Sequence, residues 1–331
     1  MRTTKSNLAR WSAGLLLGGA MALSAAAETI RVGAMPVGSG WYVAAAAMKK
    51  TLQEVGTGLD LDIIARGGGV ANPMVVQQGK AQIAISNVAT SQWAMKGELL
   101  YAGRKAPDIR SLVGGLNPVF IGAIVRNEYM QSNGFKTLKD ILESGKPVNI
   151  LMKPPGSNIP PAVDVILKAH GSSIAKIKKD GGRIIQVESA QMSGMIRDGR
   201  ADLYFDTILA GHPTIQEIAL TGGVSFIDLS PQSIAALAEI GIDKGEIPKW
   251  FTVQTETTIG GDYGTHLIAN KSLSDEAAYK ITKAVIENMD KLAAEFPAWK
   301  AFVREKAASP EKNGIPLHPG AVRYYKEIGL L

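Results

Sequence analysis

The sequence predicts an α/β protein of two lobes, each a mostly parallel sheet flanked by helices. Two observations predict it. Short β-branched runs alternate with helix-length amphipathic stretches, strand before helix, which is the order of parallel sheets with right-handed crossovers. The stretch after about residue 261 then holds one strand and one long helix, too little to fold alone, so it is expected to return to the first unit. The expected units are residues 28–126 plus 261–331 for the first lobe and 127–260 for the second. Two chain crossings, near Val125 and near Tyr263, would join them, and a cleft between hinged lobes is a natural ligand site.

The 331 residues are 46% hydrophobic and 20% charged, with no cysteine. This composition is that of a globular chain and excludes a disordered or collagen-like one. The lack of cysteine excludes disulfides, thiolate metal sites and a thiol nucleophile. Residues 1–27 read as a cleaved secretory signal directing the chain to the periplasm. Arg2, Lys5 and Arg10 precede an apolar run from Trp11 to Leu23, and Ser24-Ala25-Ala26-Ala27 supplies the small-residue cleavage site. That leader carries part of the net charge of +6. No Lys/Arg stripe remains to suggest nucleic acid, and Lys176-Ile177-Lys178-Lys179 reads as a solvated face.

In chain order, Thr29–Ala34 is a strand, followed by the turn Pro36–Gly40 and a helix from Trp41 to Val55 that Gly56 stops. Leu61–Ala65 is the second strand; it leads through Gly67-Gly68-Gly69 to a helix from Asn72 to Gln78. Gln82–Ser86 is the third, with a helix from Val88 to Met95. Val119–Val125 and Val148–Met152 are further strands. Thr137 caps a helix between them with an acid three residues on. Pro154–Asn158 opens a helix from Pro160 to His170, its prolines in the first turn where a missing N–H costs nothing. Ser189 caps a helix to Arg197, Asp202–Asp206 is a strand, and Pro213 and Ser230-Pro231 start helices. Gly264–Ala269 is the last strand. Ser274 caps the longest helix, to Phe296, with Asp275 and Glu276 favouring its dipole.

No nucleotide-binding glycine signature, nucleophile elbow or HExxH is present. The four histidines are isolated, and His170, at a helix end, reads as a C-cap. Asp202 and Asp206, four apart on a strand, share a face but have no third ligand nearby. No cofactor or metal is expected.

The strand-to-helix loops carry the chemistry. Ser39, Gly40, Trp41 and Tyr42 open one helix, Gly69 and Asn72 another, Ser86-Asn87 a third, and Ser157-Asn158 a fourth. Such loops lie at the carboxyl ends of strands, where helix N-termini attract an anion and glycine admits close backbone approach. Trp41 and Tyr42 either pack beneath their loop or wall the cleft. Arg66 either forks onto a ligand carboxylate or sits on the surface. Tyr204, Asp206 and His212 are candidates for the opposite wall. Asp206 with His212 is also the one acid/base pair an enzyme on this scaffold could use.

These motifs, in this order, resemble the TAXI-type solute-binding proteins of TRAP transporters. The resemblance rests on Gly38-Ser39-Gly40-Trp41-Tyr42, Gly68-Gly69-Val70-Ala71-Asn72, the segment Gly79–Val88, Pro154-Pro155-Gly156-Ser157, Asp198-Gly199-Arg200-Ala201-Asp202, Gly211-His212-Pro213 and Tyr279–Asn288. Lys153 departs from it, standing where a small residue is common. The resemblance implies a two-lobed periplasmic binding protein of type II-like fold and no enzyme. It implies closure on a small organic acid such as glutamate or 2-oxoglutarate and delivery to TRAP membrane permease subunits. Every physical feature is shared with binding proteins of ABC-type importers. Nothing marks an oligomer, so a monomer is expected.

Overall fold

A computed structural model describes residues 27–37, 39–221 and 223–331. The expected leader lies outside the described residues but for Ala27, as does Gly38 of the first loop.

The chain folds into two mixed sheets flanked by helices, the two-lobed α/β architecture the sequence predicts. The first sheet contains β1 (Glu28–Gly33), β2 (Leu59–Ile64), β3 (Ile83–Asn87) and β4 (Ile109–Val113). The second contains β5 (Phe120–Arg126), β6 (Asn149–Met152), β7 (Arg183–Gln186), β8 (Leu203–Ile208), β9 (Val224–Ile227), β10 (Asp243–Ile247) and β11 (Thr258–Asp262). The last strand, β12 (Thr265–Asn270), returns to the first sheet between β3 and β4.

Strand direction departs from simple alternation at the strands next to the crossings. β12 runs antiparallel to both β3 and β4, and β5 antiparallel to β8, β9 and β11. The β5 segment, assigned from sequence to the first lobe, is hydrogen-bonded into the second sheet. The first crossing is therefore the segment 114–119, and the second centres on Tyr263-Gly264. The two crossings are tied side by side. The Val119 N–H donates to Asp262 Oδ1 at 2.9 Å, as does the Gly264 N–H at 2.9 Å. The Tyr263 N–H reaches the Val119 carbonyl at 2.9 Å.

Most helix boundaries follow local chemistry. Ser39 caps Gly40–Glu54, and Thr137 with Asp140 forms a reciprocal capping box on Leu138–Glu143. Ser274 caps Asp275–Glu287. The single long helix expected there is two, because Asn288 breaks it. Its side chain turns back to the Ala284 carbonyl at 2.9 Å, and Met289–Glu295 starts afresh. The helix Ser189–Arg197 starts after Glu188, so Ser189 is its first residue and not its cap.

The apolar core of the first lobe joins the sheet to Met48, Leu52, Trp299, Tyr324 and Tyr325. A second apolar cluster runs through both lobes, with Trp93 edge-on to Tyr263 at 6.2 Å. The lobes thus share packing at the crossings while their loops face a common space.

Candidate functional site

The carboxyl ends of β1, β2 and β3 open onto loops that face the loops after β6 and β8. Between them lies a cavity of about 610 Å³, within the usual range for small-molecule sites. Ser39, Gly40, Trp41, Gly69 and Asn87 line it from the first lobe, and Ser157, Asn158 and His212 from the second. The structure therefore brings loops 39–41 and 156–158 to one space. Four helices of nine or more residues begin at this wall: Gly40–Glu54, Val88–Lys96, Ile159–Ala169 and Pro213–Thr221. In these first turns Pro160, Pro161 and Pro213 supply no N–H, and Val88 and Ala89 donate to the Gly264 and Tyr263 carbonyls; the amides left free carry the positive end of the dipole.

Each loop is held by a specific device. Ser39 accepts the Tyr42 N–H at 3.3 Å. Gly156 has φ +94°, a conformation only glycine adopts readily, and the Ser157 hydroxyl closes that turn on the Pro154 carbonyl at 3.0 Å. The triple-glycine loop is pinned from beneath. Asn72, fully buried, accepts the Gly68 N–H at 3.1 Å and donates to the Ala34 and Ile85 carbonyls at 3.1 and 2.8 Å. The Thr90 hydroxyl donates to the Gly69 carbonyl, and the Tyr101 hydroxyl to the Val70 carbonyl, both at 2.7 Å.

Asn72 is thus a brace behind the loop and does not line the cavity. Five other expected site residues also fall outside the lining. Ser86 is fully buried and accepts the Ser91 hydroxyl at 3.0 Å. Arg66 is exposed at the surface, and Tyr42 is half-buried one position past the wall. Tyr204 and Asp206 are buried behind the second-lobe wall, where the tyrosine hydroxyl donates to the Asp206 carboxylate. Strand alternation turns Thr207, their neighbour, to the cavity instead.

Asp206 acts through Lys153. The Lys153 ammonium sits 2.7 Å from Asp206 Oδ1 and donates to the Thr207 hydroxyl at 3.0 Å. The same carboxylate accepts the Thr207 N–H at 2.6 Å. Lys153 lines the cavity and is the one Lys, Arg, Asp or Glu among its described lining residues. Burial holds the His212 imidazole below its ordinary range, so it is neutral at neutral pH, and its Nδ1 is buried without a partner among the described residues. The carboxylate of Asp206 is committed to Tyr204, Thr207 and Lys153, and no hydrogen bond to His212 is found among the described residues. Asp202 is likewise engaged, by the Asn149 backbone and side chain at 2.9 and 2.8 Å.

Sequence reasoning missed several lining residues. Phe296 arrives from the C-terminal segment and lies on Gly40, where a Cβ would come within 3.0 Å of its ring. Asn117 comes from the first crossing; it is 4% exposed, and its Oδ1 has no partner among the described residues. Met35, Val70, Val119 and Leu209 complete an apolar wall. Lys153 was visible in the sequence only as a departure. A charged residue directly after a strand and before a glycine loop is the signal that marks it.

A smaller cavity, of about 340 Å³, touches the crossings through Asn117, Asp262 and Gly264. Lys306 and Lys312 face Asp243 and Glu311 there, so its fixed charges nearly balance.

Solved structures share the fold at low identity. A TctC solute binding protein from Polaromonas aligns with TM-score 0.53 and 14% identity, over 92% of this chain and 99% of that one. A Xanthomonas citri protein bound to chloride ion aligns with TM-score 0.50 and 11% identity, over 91% of this chain and 97% of that one. Residues 32–329 match the NMT1-like family. With nearly its whole length matched, the chain belongs to the NMT1-like family.

Proposed function

We propose that this chain is a periplasmic solute-binding protein that captures a small organic acid between its lobes and passes it to a membrane permease. The observation that carries the proposal is Lys153, the one charged side chain among the described lining residues of a wall where four helices begin. A carboxylate there gains an ammonium partner and free amides at once. The interlobe cavity and paired crossings suit capture by closure, in which ligand stabilises the closed form by differential affinity. Binding without turnover fits the engagement of the Asp206 carboxylate by Tyr204, Thr207 and Lys153.

The resemblance to TAXI-type proteins supports a TRAP-type permease as the recipient and glutamate or 2-oxoglutarate as first solutes to try. The residues proposed to touch ligand are Ser39, Gly40, Trp41, Gly69, Asn87, Lys153, Ser157, Asn158 and His212. The test is a melting-temperature screen of the protein without its leader against organic acids. At saturating acid, a hundredfold above Kd, the gain is about 2.7 kcal/mol, a shift of several degrees. Acid recovered chemically unchanged after prolonged incubation is the expected companion result. No shift across a broad acid panel, or steady conversion of the bound acid, would overturn the proposal.

A further inference from the structure

We infer that the cavity selects a monocarboxylate with an uncharged, largely apolar body, and that Asp206 sets this limit by neutralising Lys153 from behind. The inference rests on the acid-binding reading above and narrows it.

The charge count is the first observation. Lys153 is the one formally charged group on the described wall, and the buried Asp206 carboxylate lies 2.7 Å behind it, 1% exposed. The pair sums to zero. A ligand with one carboxylate takes a remaining N–H of the ammonium and the nearby helix amides, and ends well solvated by protein. A second carboxylate on the same ligand finds no second cation among the described lining residues. It would leave water for neutral polar groups in the field of Asp206, and burying an unpaired charge is costly. His212 is no substitute, because burial keeps its imidazole neutral at neutral pH.

The second observation is the rest of the wall. Phe296 lies on Gly40 and Trp41 borders Gly69, with Met35, Val70, Val119 and Leu209 continuing the apolar surface. Such a surface rewards alkyl or aryl area removed from water and offers a dianion nothing.

Hexanoate and adipate make a matched pair, equal in carbon count and differing by one carboxylate. Titration calorimetry of the full chain without its leader is expected to give hexanoate at least tenfold tighter than adipate, glutamate or 2-oxoglutarate. In Asp206→Asn, which frees the lysine charge, the adipate-to-hexanoate gap should narrow at least threefold. Lys153→Gln should weaken hexanoate at least tenfold, separating specific binding from adsorption. Adipate or 2-oxoglutarate binding as tightly as hexanoate in the unsubstituted protein overturns this inference and leaves the acid-binding proposal standing. An unchanged gap in a folded Asp206→Asn removes the role given to Asp206. No binding by any acid of either kind overturns both.

Discussion

At the scale of single residues, two carboxylates, Asp206 buried and Asp262 half-buried, carry different duties, and each makes a prediction. Asp206 has three protein partners, and Lys153 is the one that also faces the cavity. Removing the lysine side chain entirely, Lys153→Ala, leaves that carboxylate buried with its charge unmatched. The expected loss of folding stability is about 3–5 kcal/mol by urea titration, and Asp206→Asn added to Lys153→Ala should recover much of it. A loss below about 1 kcal/mol would show that water compensates Asp206 and that the pair is not buried in effect. Asp262 instead holds backbone: it accepts the Val119 and Gly264 N–H groups and so ties the crossings together, while burial pushes its carboxyl above the usual range. Asp262→Ala orphans two amides and should cost about 2–4 kcal/mol. Asp262→Asn keeps an acceptor oxygen and should cost less than about 1 kcal/mol. Equal losses in the two variants would mean that the charge, not the pair of hydrogen bonds, holds the crossings.

At the scale of elements, loop, helix start and brace work as a unit. Asn72 sits on a short helix, yet its amide organises the loop before it and the strands β1 and β3 beneath it. Asn72→Ala leaves a backbone N–H and two carbonyls without their partner. The expected cost is about 2–3 kcal/mol, several degrees in Tm, together with weaker acid binding. Gly69 makes a sharper test, because a Cβ there would come within 2.3 Å of Asn87 Oδ1. Gly69→Ala must displace the Asn87 side chain from the cavity wall, so affinity should fall more than stability. A variant that melts early but binds normally would argue that this loop is scaffold and not site. The loops themselves were legible in the sequence, because Ser, Gly and Asn before a helix announce caps and close approach. The brace was not distinguishable from a ligand contact, since the same Asn serves either role and only the packing decides. Strand direction was hidden for a related reason: β5 and β12 read locally like any buried strand, and antiparallel pairing is set by partners more than 70 residues away.

At the scale of the whole molecule, the two-lobed α/β fold was legible because strand and helix signals alternate, and the return of the C-terminal segment followed from its being too short to stand alone. The cavity's composition was only half legible. Lys153 and Asp206 are 53 positions apart in sequence, and Phe296 reaches the wall from the end of the long helix that the sequence predicts after Ser274. The buried polar network of the first lobe also acts globally. His266 is fully buried between Ser91 at 2.8 Å and Ser111 at 3.2 Å, and burial pushes its imidazole down to about 3. The unfolded chain takes up that proton near its ordinary value of 6.5, so stability is full above about pH 6.5. It should then fall by up to about 1.4 kcal/mol per pH unit toward pH 3, through this group alone. Urea titrations at pH 7.5 and 5 would read this, and His266→Gln should flatten the difference; an unchanged slope would assign acid sensitivity elsewhere. The most direct test of the account as a whole is a crystal structure of the protein with its tightest-binding acid. The account places the ligand carboxylate within about 3 Å of Lys153 Nζ, between the loops at 39–41 and 156–158. An acid seated instead in the smaller cavity by Lys306 and Lys312, with the interlobe space holding only solvent, would contradict it.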